Sequence, residues 1–196
     1  MVIDRPALAD RSRWNGPRLS IVVGLCGFDA RAGARFVQQS EPVALDVDPA
    51  APQAARIAER AYEAHDLVLV HVSGAPSQTQ LARLRARLVH VDGLASRTAA
   101  GFPALMSGTT LLFFDERGNA DPAPFRDAGV AFAARDVTVD DRTASSYIRF
   151  MLARTVLRSQ REGRLVVLMR PRAHSLGALA ALDATRTVQF VPLTQP

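Results

Sequence analysis

The feature that most constrains this chain is a regular alternation of short apolar runs with helical patterns, carried from Leu19 to Pro192. Strands are predicted at residues 19–23, 42–47, 67–72, 110–114, 131–134, 165–169 and 188–192, where β-branched and other apolar side chains cluster. Between them lie helical patterns. Asp29 stands where its carboxylate can accept from the free amides of a helix over 29–39. Residues 51–64 place Ala54, Ala58, Ala61 and Tyr62 on one stripe. Ser77 and Gln80 have capping-box spacing ahead of Leu81, Leu84 and Leu88. A short helix is expected at 122–128. A long one over 143–161 has Ile148, Met151, Leu152, Thr155 and Val156 on one face, and another covers 175–184. Residues 89–106 read as a possible short strand and a loop.

Alternation at this spacing implies βαβ crossovers and a parallel sheet, either open and doubly wound or closed into a barrel. Either way the functional groups belong at the carboxyl ends of the strands. The 196 residues fit one domain, and 48% hydrophobic with 22% charged residues excludes a disordered chain. The longest apolar runs, 67–70 and 165–169, are far too short to cross a bilayer. Residues 1–18 carry Arg5, Arg11, Arg13 and Arg18 with Pro6, Gly16 and Pro17, and read as an arm or linker before a domain over 19–196. They hold no apolar stretch of the signal-peptide kind, and Met1 is compatible with the start of an excised piece, so compartment stays open. Cys26 is the single cysteine, which excludes an internal disulfide and a cysteine-rich metal cluster; it reads as a small buried hydrophobe.

Every basic residue other than histidine is arginine, giving a net charge of +5 and a pI near 10.8. The arginines are scattered over successive helices (Arg56 and Arg60; Arg83, Arg85 and Arg87; Arg149, Arg154 and Arg158) rather than gathered in one stripe, so no nucleic-acid partner is expected.

The predicted strand ends deliver Gly24-Leu25-Cys26-Gly27, then His71, Ser73 and Gly74, then Asp115-Glu116-Arg117, then Arg135-Asp136 with Asp140 and Asp141, and finally Arg170-Pro171-Arg172 with His174. Gly24, Gly27 and Gly33 hint at a phosphate cradle, but the spacing is not that of a dinucleotide fingerprint and Asp29 would repel an anion. The candidates for acid–base or metal chemistry are His71, Asp115, Asp136 and Asp140, and none is assigned a catalytic role. His71 beside Asp115 would make an acid–base pair if the two met. The plainer expectation is that each carboxylate pairs with a local arginine, Asp115 with Arg117 and Asp136 with Arg135 or Arg170.

Four segments carry a family resemblance. Residues 111–117, Leu-Leu-Phe-Phe-Asp-Glu-Arg, resemble "LFLDSRT". Residues 129–140 resemble "GVPFAERDVFLD", residues 165–172 resemble "AIAIGHPRP", and residues 191–194 resemble "VPLS". In this order they are similar to the divergent polysaccharide deacetylases, relatives of the NodB-like carbohydrate esterases. The resemblance spans Leu19 to Thr194. It implies an α/β single domain built as a parallel-stranded, deformed β/α barrel, carbohydrate metabolism, and work at the cell envelope or periplasm.

The departures fall on the family's chemistry. Gly24-Leu25 stands where the family has two aspartates, Gly93 where "NNHMGSR" has its histidine, and Arg170 where "GHP" has another; His71 matches the histidine of "LHLP". Such enzymes use a bound divalent metal to polarise the acetyl carbonyl and activate water. With those ligands lost, no metal or other cofactor is expected, zinc or another divalent ion entering only if an altered site is active. The expectation is therefore a pseudoenzyme that binds an acidic or acetylated glycan, or an envelope protein, through Arg117, Arg135, Arg170 and Arg172. The alternative is a hydrolase deacetylating an amino-sugar polymer through an altered site.

Overall fold

A computed structural model describes residues 14–39, 41–88 and 90–193. Nine strands and seven helices alternate almost throughout: β1 (Arg18–Cys26), α1 (Ala30–Val37), β2 (Val43–Val47), α2 (Ala54–Glu63), β3 (Leu67–His71), α3 (Gln78–Arg87), β4 (Gly93–Ser96), α4 (Phe102–Met106), β5 (Leu112–Asp115), α5 (Ala123–Asp127), β6 (Ala131–Ala134), β7 (Val137–Thr138), α6 (Ser145–Glu162), β8 (Arg164–Met169), α7 (Ala173–Ala184) and β9 (Gln189–Phe190). Most of the expected arm, residues 1–13, lies outside the described residues, as do 194–196. The segment 89–106 holds both a strand and a short helix, where a strand and a loop were expected. The last strand is shorter than the 188–192 that its composition suggests.

Local chemistry accounts for the helix ends. Asp29 Oδ1 accepts the amides of Arg31 and Ala32 ahead of α1. Ser77 Oγ accepts from Gln80 N–H, and Gln80 Oε1 accepts from Ser77 N–H, so the capping box before α3 is formed. α6 buries Ile148, Leu152, Thr155 and Val156 on one face and ends at Gly163, whose φ of 84° a side chain would resist. Full burial of each large aliphatic side chain on that face contributes about 1.5–3 kcal/mol.

All the strand pairings are parallel, in the order β6-β5-β4-β3-β2-β1-β8-β7, with β9 added beside the start of β1. The stretch 131–138 resolves the choice between an open sheet and a barrel. Its first part pairs with β5 (Leu112↔Ala131 to Asp115↔Ala134), and two residues later its second part pairs with β8 (Val137↔Val167, Thr138↔Leu168). Arg135 N–H still bonds Asp115 O while Asp136 N–H already bonds Val166 O. One continuous stretch thus joins both edges of the sheet and closes an irregular, deformed β/α barrel.

The strand period of two sorts the core into two layers. Val22, Ala44, Leu69, Ala95, Leu112, Phe114, Ala133, Val166 and Leu168 fill the barrel interior. Their neighbours Ile21, Val23, Leu45, Val68, Val70, Phe113 and Val167 pack outward with Phe36, Ile57, Ile148 and Leu152 from the helices. Acids at the strand starts satisfy the first amides: Asp66 accepts from Val43 N–H and Asp92 from Val68 N–H. Among the described residues no helix is long and apolar enough to cross a membrane.

Candidate functional site

The same alternation decides which residues reach the interior at the carboxyl rim. In β2 the inward positions are Ala44 and Asp46, in β3 Leu69 and His71, and past β5 the interior parity of Leu112 and Phe114 continues to Glu116. These three meet. His71 Nδ1 lies 3.3 Å from Asp46 Oδ2 and 2.7 Å from Glu116 Oε1. Asp46 is wholly buried, Glu116 nearly so, and His71 is 20% exposed on its side chain.

A carboxylate can only accept, so Nδ1 carries the hydrogen that Asp46 Oδ2 receives. Glu116 Oε1 is close enough to pair in charge with the ring, but it is not aligned as a hydrogen-bond acceptor and has no other donor. Its hydrogen bond and charge contact to the two acids push the His71 pKa up to about 10, the Asp46 contribution leading and burial opposing it. Burial raises the Asp46 carboxyl above its ordinary range, with the His71 contact working against that rise. At neutral pH His71 is an imidazolium held between two acids.

Asp46, His71 and Glu116 are also a donor set that could serve a divalent ion, their ligand-type atoms lying within 4.8 Å of one another, and Asp46 Oδ1 has no partner. Ligands bonded to zinc at about 2.0–2.2 Å stand roughly 3 Å or more apart. Here the Asp46 carboxylate takes the imidazole N–H, and Glu116 Oε1 stands 2.7 Å from the same nitrogen in charge contact. For the set to hold an ion, the ring would have to turn away from this contact.

The neighbouring positions sharpen this. β1 bulges between Val23 and Cys26, and Leu25 adopts φ 56°, pinned by its N–H to Asp46 Oδ2 at 3.2 Å. The bend of the rim is thus present with Gly24 and Leu25 in the place of the two acids that the resemblance leads one to expect. A β-carbon on Gly24 would stand 3.6 Å from Arg170 Nη1 and 3.5 Å from Asp46 Oδ2, so the Arg170 guanidinium borders the space a side chain at 24 would use. Gly93 lies lower in the barrel, opposite Leu69 and Leu112, where a β-carbon would come within van der Waals overlap of Leu112 O and the Leu69 side chain. No histidine can be accommodated there without moving the strand.

Of the four sequence candidates, only His71 enters this cluster, and its acids are Asp46 and Glu116 in place of Asp115. The Asp115 carboxylate points away and closes the following loop, accepting from the amides of Arg117, Asn119 and Ala120. Asp136 Oδ2 accepts from Val166 N–H at 2.6 Å. Asp140 Oδ2 accepts from Arg170 N–H and Ser175 Oγ. These three acids hold backbone in place; the expected pairing of Asp115 with the Arg117 guanidinium, and of Asp136 with that of Arg135 or Arg170, is not formed.

The rim arginines do come together. A cavity of about 370 Å³ is lined by Arg97, Arg117, Arg135, Arg170 and Arg172, with Glu116, Asp140, Asp141, Thr138 and Leu168 completing it. Arg135 donates to Thr138 Oγ1 and to Arg117 O at 2.6 Å, and Arg172 Nη1 donates to Asp140 O. Among the described residues none of the five forms an ion pair with a carboxylate. Arg97, which the sequence pattern does not single out, follows directly on β4 as the other arginines follow their strands. Cys26 is fully buried and donates to Val23 O, and burial pushes its thiol far up, so it packs as a hydrophobe. The glycine turn before α1 is no anion cradle, because Asp29 already occupies the free amides.

A parallel, deformed β/α barrel closed in this way is the NodB-like fold seen in polysaccharide deacetylases. The chain shares it with an uncharacterized protein from Agrobacterium tumefaciens C58 (TM-score 0.74, 17% identity, over 97% of this chain and 91% of that one). It shares it also with the catalytic domain of a peptidoglycan N-acetylglucosamine deacetylase from Eubacterium rectale (TM-score 0.59, 11% identity, 95% and 96%). A carbohydrate esterase family 4 pseudoenzyme from Bacillus anthracis aligns with a TM-score of 0.57 and 13% identity over 90% of this chain and 64% of that one. No family model and no curated protein matches the sequence.

Proposed function

We propose that this chain is a divergent, deacetylase-like domain that no longer carries out metal-assisted hydrolysis and serves in binding or assembly at the cell envelope. An acidic glycan, or the carboxylates of a protein partner, is received on Arg117, Arg135, Arg170 and Arg172, with Arg97 joining them. The observation that carries this reading is the cavity lined by five arginines, none of which forms an ion pair among the described residues. Two of the five are oriented by carbonyl and hydroxyl oxygens, which fix direction without cancelling charge. The existence of a pseudoenzyme on the same fold supports the reading.

Where a metal is bound in this fold family it polarises an acetyl carbonyl and activates water. In this chain Asp46 and Glu116 are engaged by the His71 imidazolium, and Arg170 adds a fixed positive charge beside Gly24. The second reading, a surviving hydrolase, draws on the convergence of Asp46, His71 and Glu116 and would need the ring to lose its proton and turn. Two assays separate the readings. Acetate release from N-acetylglucosamine oligomers in the presence of zinc is expected to stay at the blank level. Oligogalacturonate is expected to bind the same protein and to be displaced by added salt as screening grows. Zinc-dependent acetate release that His71→Ala removes would replace the first reading by the second.

A further inference from the structure

The cavity also carries information about the charge of its ligand. Five guanidinium groups face three carboxylates, Glu116, Asp140 and Asp141, which leaves a surplus of two positive charges. A single carboxylate would leave part of this surplus exposed. A dianion balances it.

Geometry points the same way. Arg135 is held at both of its terminal nitrogens by Thr138 Oγ1 and Arg117 O, and Arg172 at one by Asp140 O. Arg97, Arg117 and Arg170 make no side-chain hydrogen bond among the described residues and come from three other parts of the rim, following β4, β5 and β8. Donors arriving from several sides suit a tetrahedral oxyanion with three outward oxygens better than the flat edge of one carboxylate. The cavity, about 370 Å³, falls within the size of small-ligand pockets, and Leu168 is its one aliphatic wall.

We infer that the arginine-lined rim is a binding site for a dianionic oxyanion of the phosphate-monoester class carried on a small polar group. This rests on the binding reading given above and specifies its ligand.

The test is calorimetric titration of the full chain at low ionic strength with inorganic phosphate, glucose 6-phosphate and galacturonate. Phosphate and glucose 6-phosphate are expected to bind at least about tenfold more tightly than galacturonate, a difference of about 1.4 kcal/mol. A further gain for the sugar phosphate over inorganic phosphate would identify the organic group as part of the ligand. Arg170→Ala and Arg97→Ala are each expected to weaken phosphate at least tenfold; Arg97 is exposed and touches no structural acceptor, so its variant keeps the fold. Galacturonate binding as tightly as phosphate would overturn the dianion assignment and leave the acidic-ligand reading standing. Binding of neither would overturn both, and phosphate binding indifferent to both arginine variants would remove it from this cavity.

Discussion

His71→Ala is expected to destabilise the fold by about 3–5 kcal/mol at neutral pH, the cost of removing one partner from a buried ion cluster. The substitution leaves Asp46, wholly buried, and Glu116, nearly so, facing each other without a cation. The effect should shrink in acid, where the Asp46 carboxyl, already raised by burial, takes up a proton. Asp46→Asn in the same chain should recover part of the loss at pH 7. Urea unfolding of the three proteins at two pH values reads all of this. A loss below about 0.5 kcal/mol, typical of an innocuous surface change, would mean that the cluster does not form.

The pH dependence of the native chain has a definite sign. His71 has its pKa raised to about 10, so the stability it contributes is complete below its ordinary value near 6.5 and is lost as pH climbs through 10. Asp46, also raised, has the same sign, but its contribution begins to fall from its ordinary value of 3.8, so the alkaline loss is assigned to His71. Stability should therefore fall from neutral to alkaline pH, and His71→Ala should flatten that slope.

Gly118→Ala is expected to have the second large effect. Gly118 has φ 70°, and a β-carbon there would overlap the Arg135 carbonyl oxygen, a backbone atom that cannot step aside alone. Left-handed strain and overpacking together cost about 2–4 kcal/mol. The damage reaches the site directly. Moving this loop takes the amides of Arg117, Asn119 and Ala120 off Asp115 and the Arg117 carbonyl off Arg135. Unfolding midpoints together with phosphate titration would show lower stability and weakened binding; wild-type values for both would refute this account of the loop.

Most elements of the fold are legible in the sequence because local rules agree there. The Ser77–Gln80 capping box, the Asp29 cap and the Ile148–Leu152–Val156 stripe each depend on residues a few positions apart. Barrel closure is not legible in this way. Residues 131–138 change partner from β5 to β8 across Arg135 and Asp136, and periodicity says nothing about which strand lies alongside.

The site shows the same division. The four arginines expected at the strand ends do line one cavity, since strand ends of a parallel barrel share a rim. The acids went astray by one step of parity. Asp115, last in β5, uses its carboxylate on the next loop, while Glu116 after it turns inward to His71. Asp46 was passed over because it sits in a strand that otherwise reads as apolar. An acid at an alternating position of such a strand was the available signal, since burying it demands a partner.

On the function proposed above, the positive charge of the rim comes from His71 and arginine rather than from a metal. The direct measurement is equilibrium dialysis of the purified chain against zinc at neutral pH, followed by metal analysis. No stoichiometric zinc above that bound by His71→Ala is the expected result. One zinc per chain that His71→Ala or Glu116→Gln abolishes would contradict the account and establish a metal centre at Asp46, His71 and Glu116.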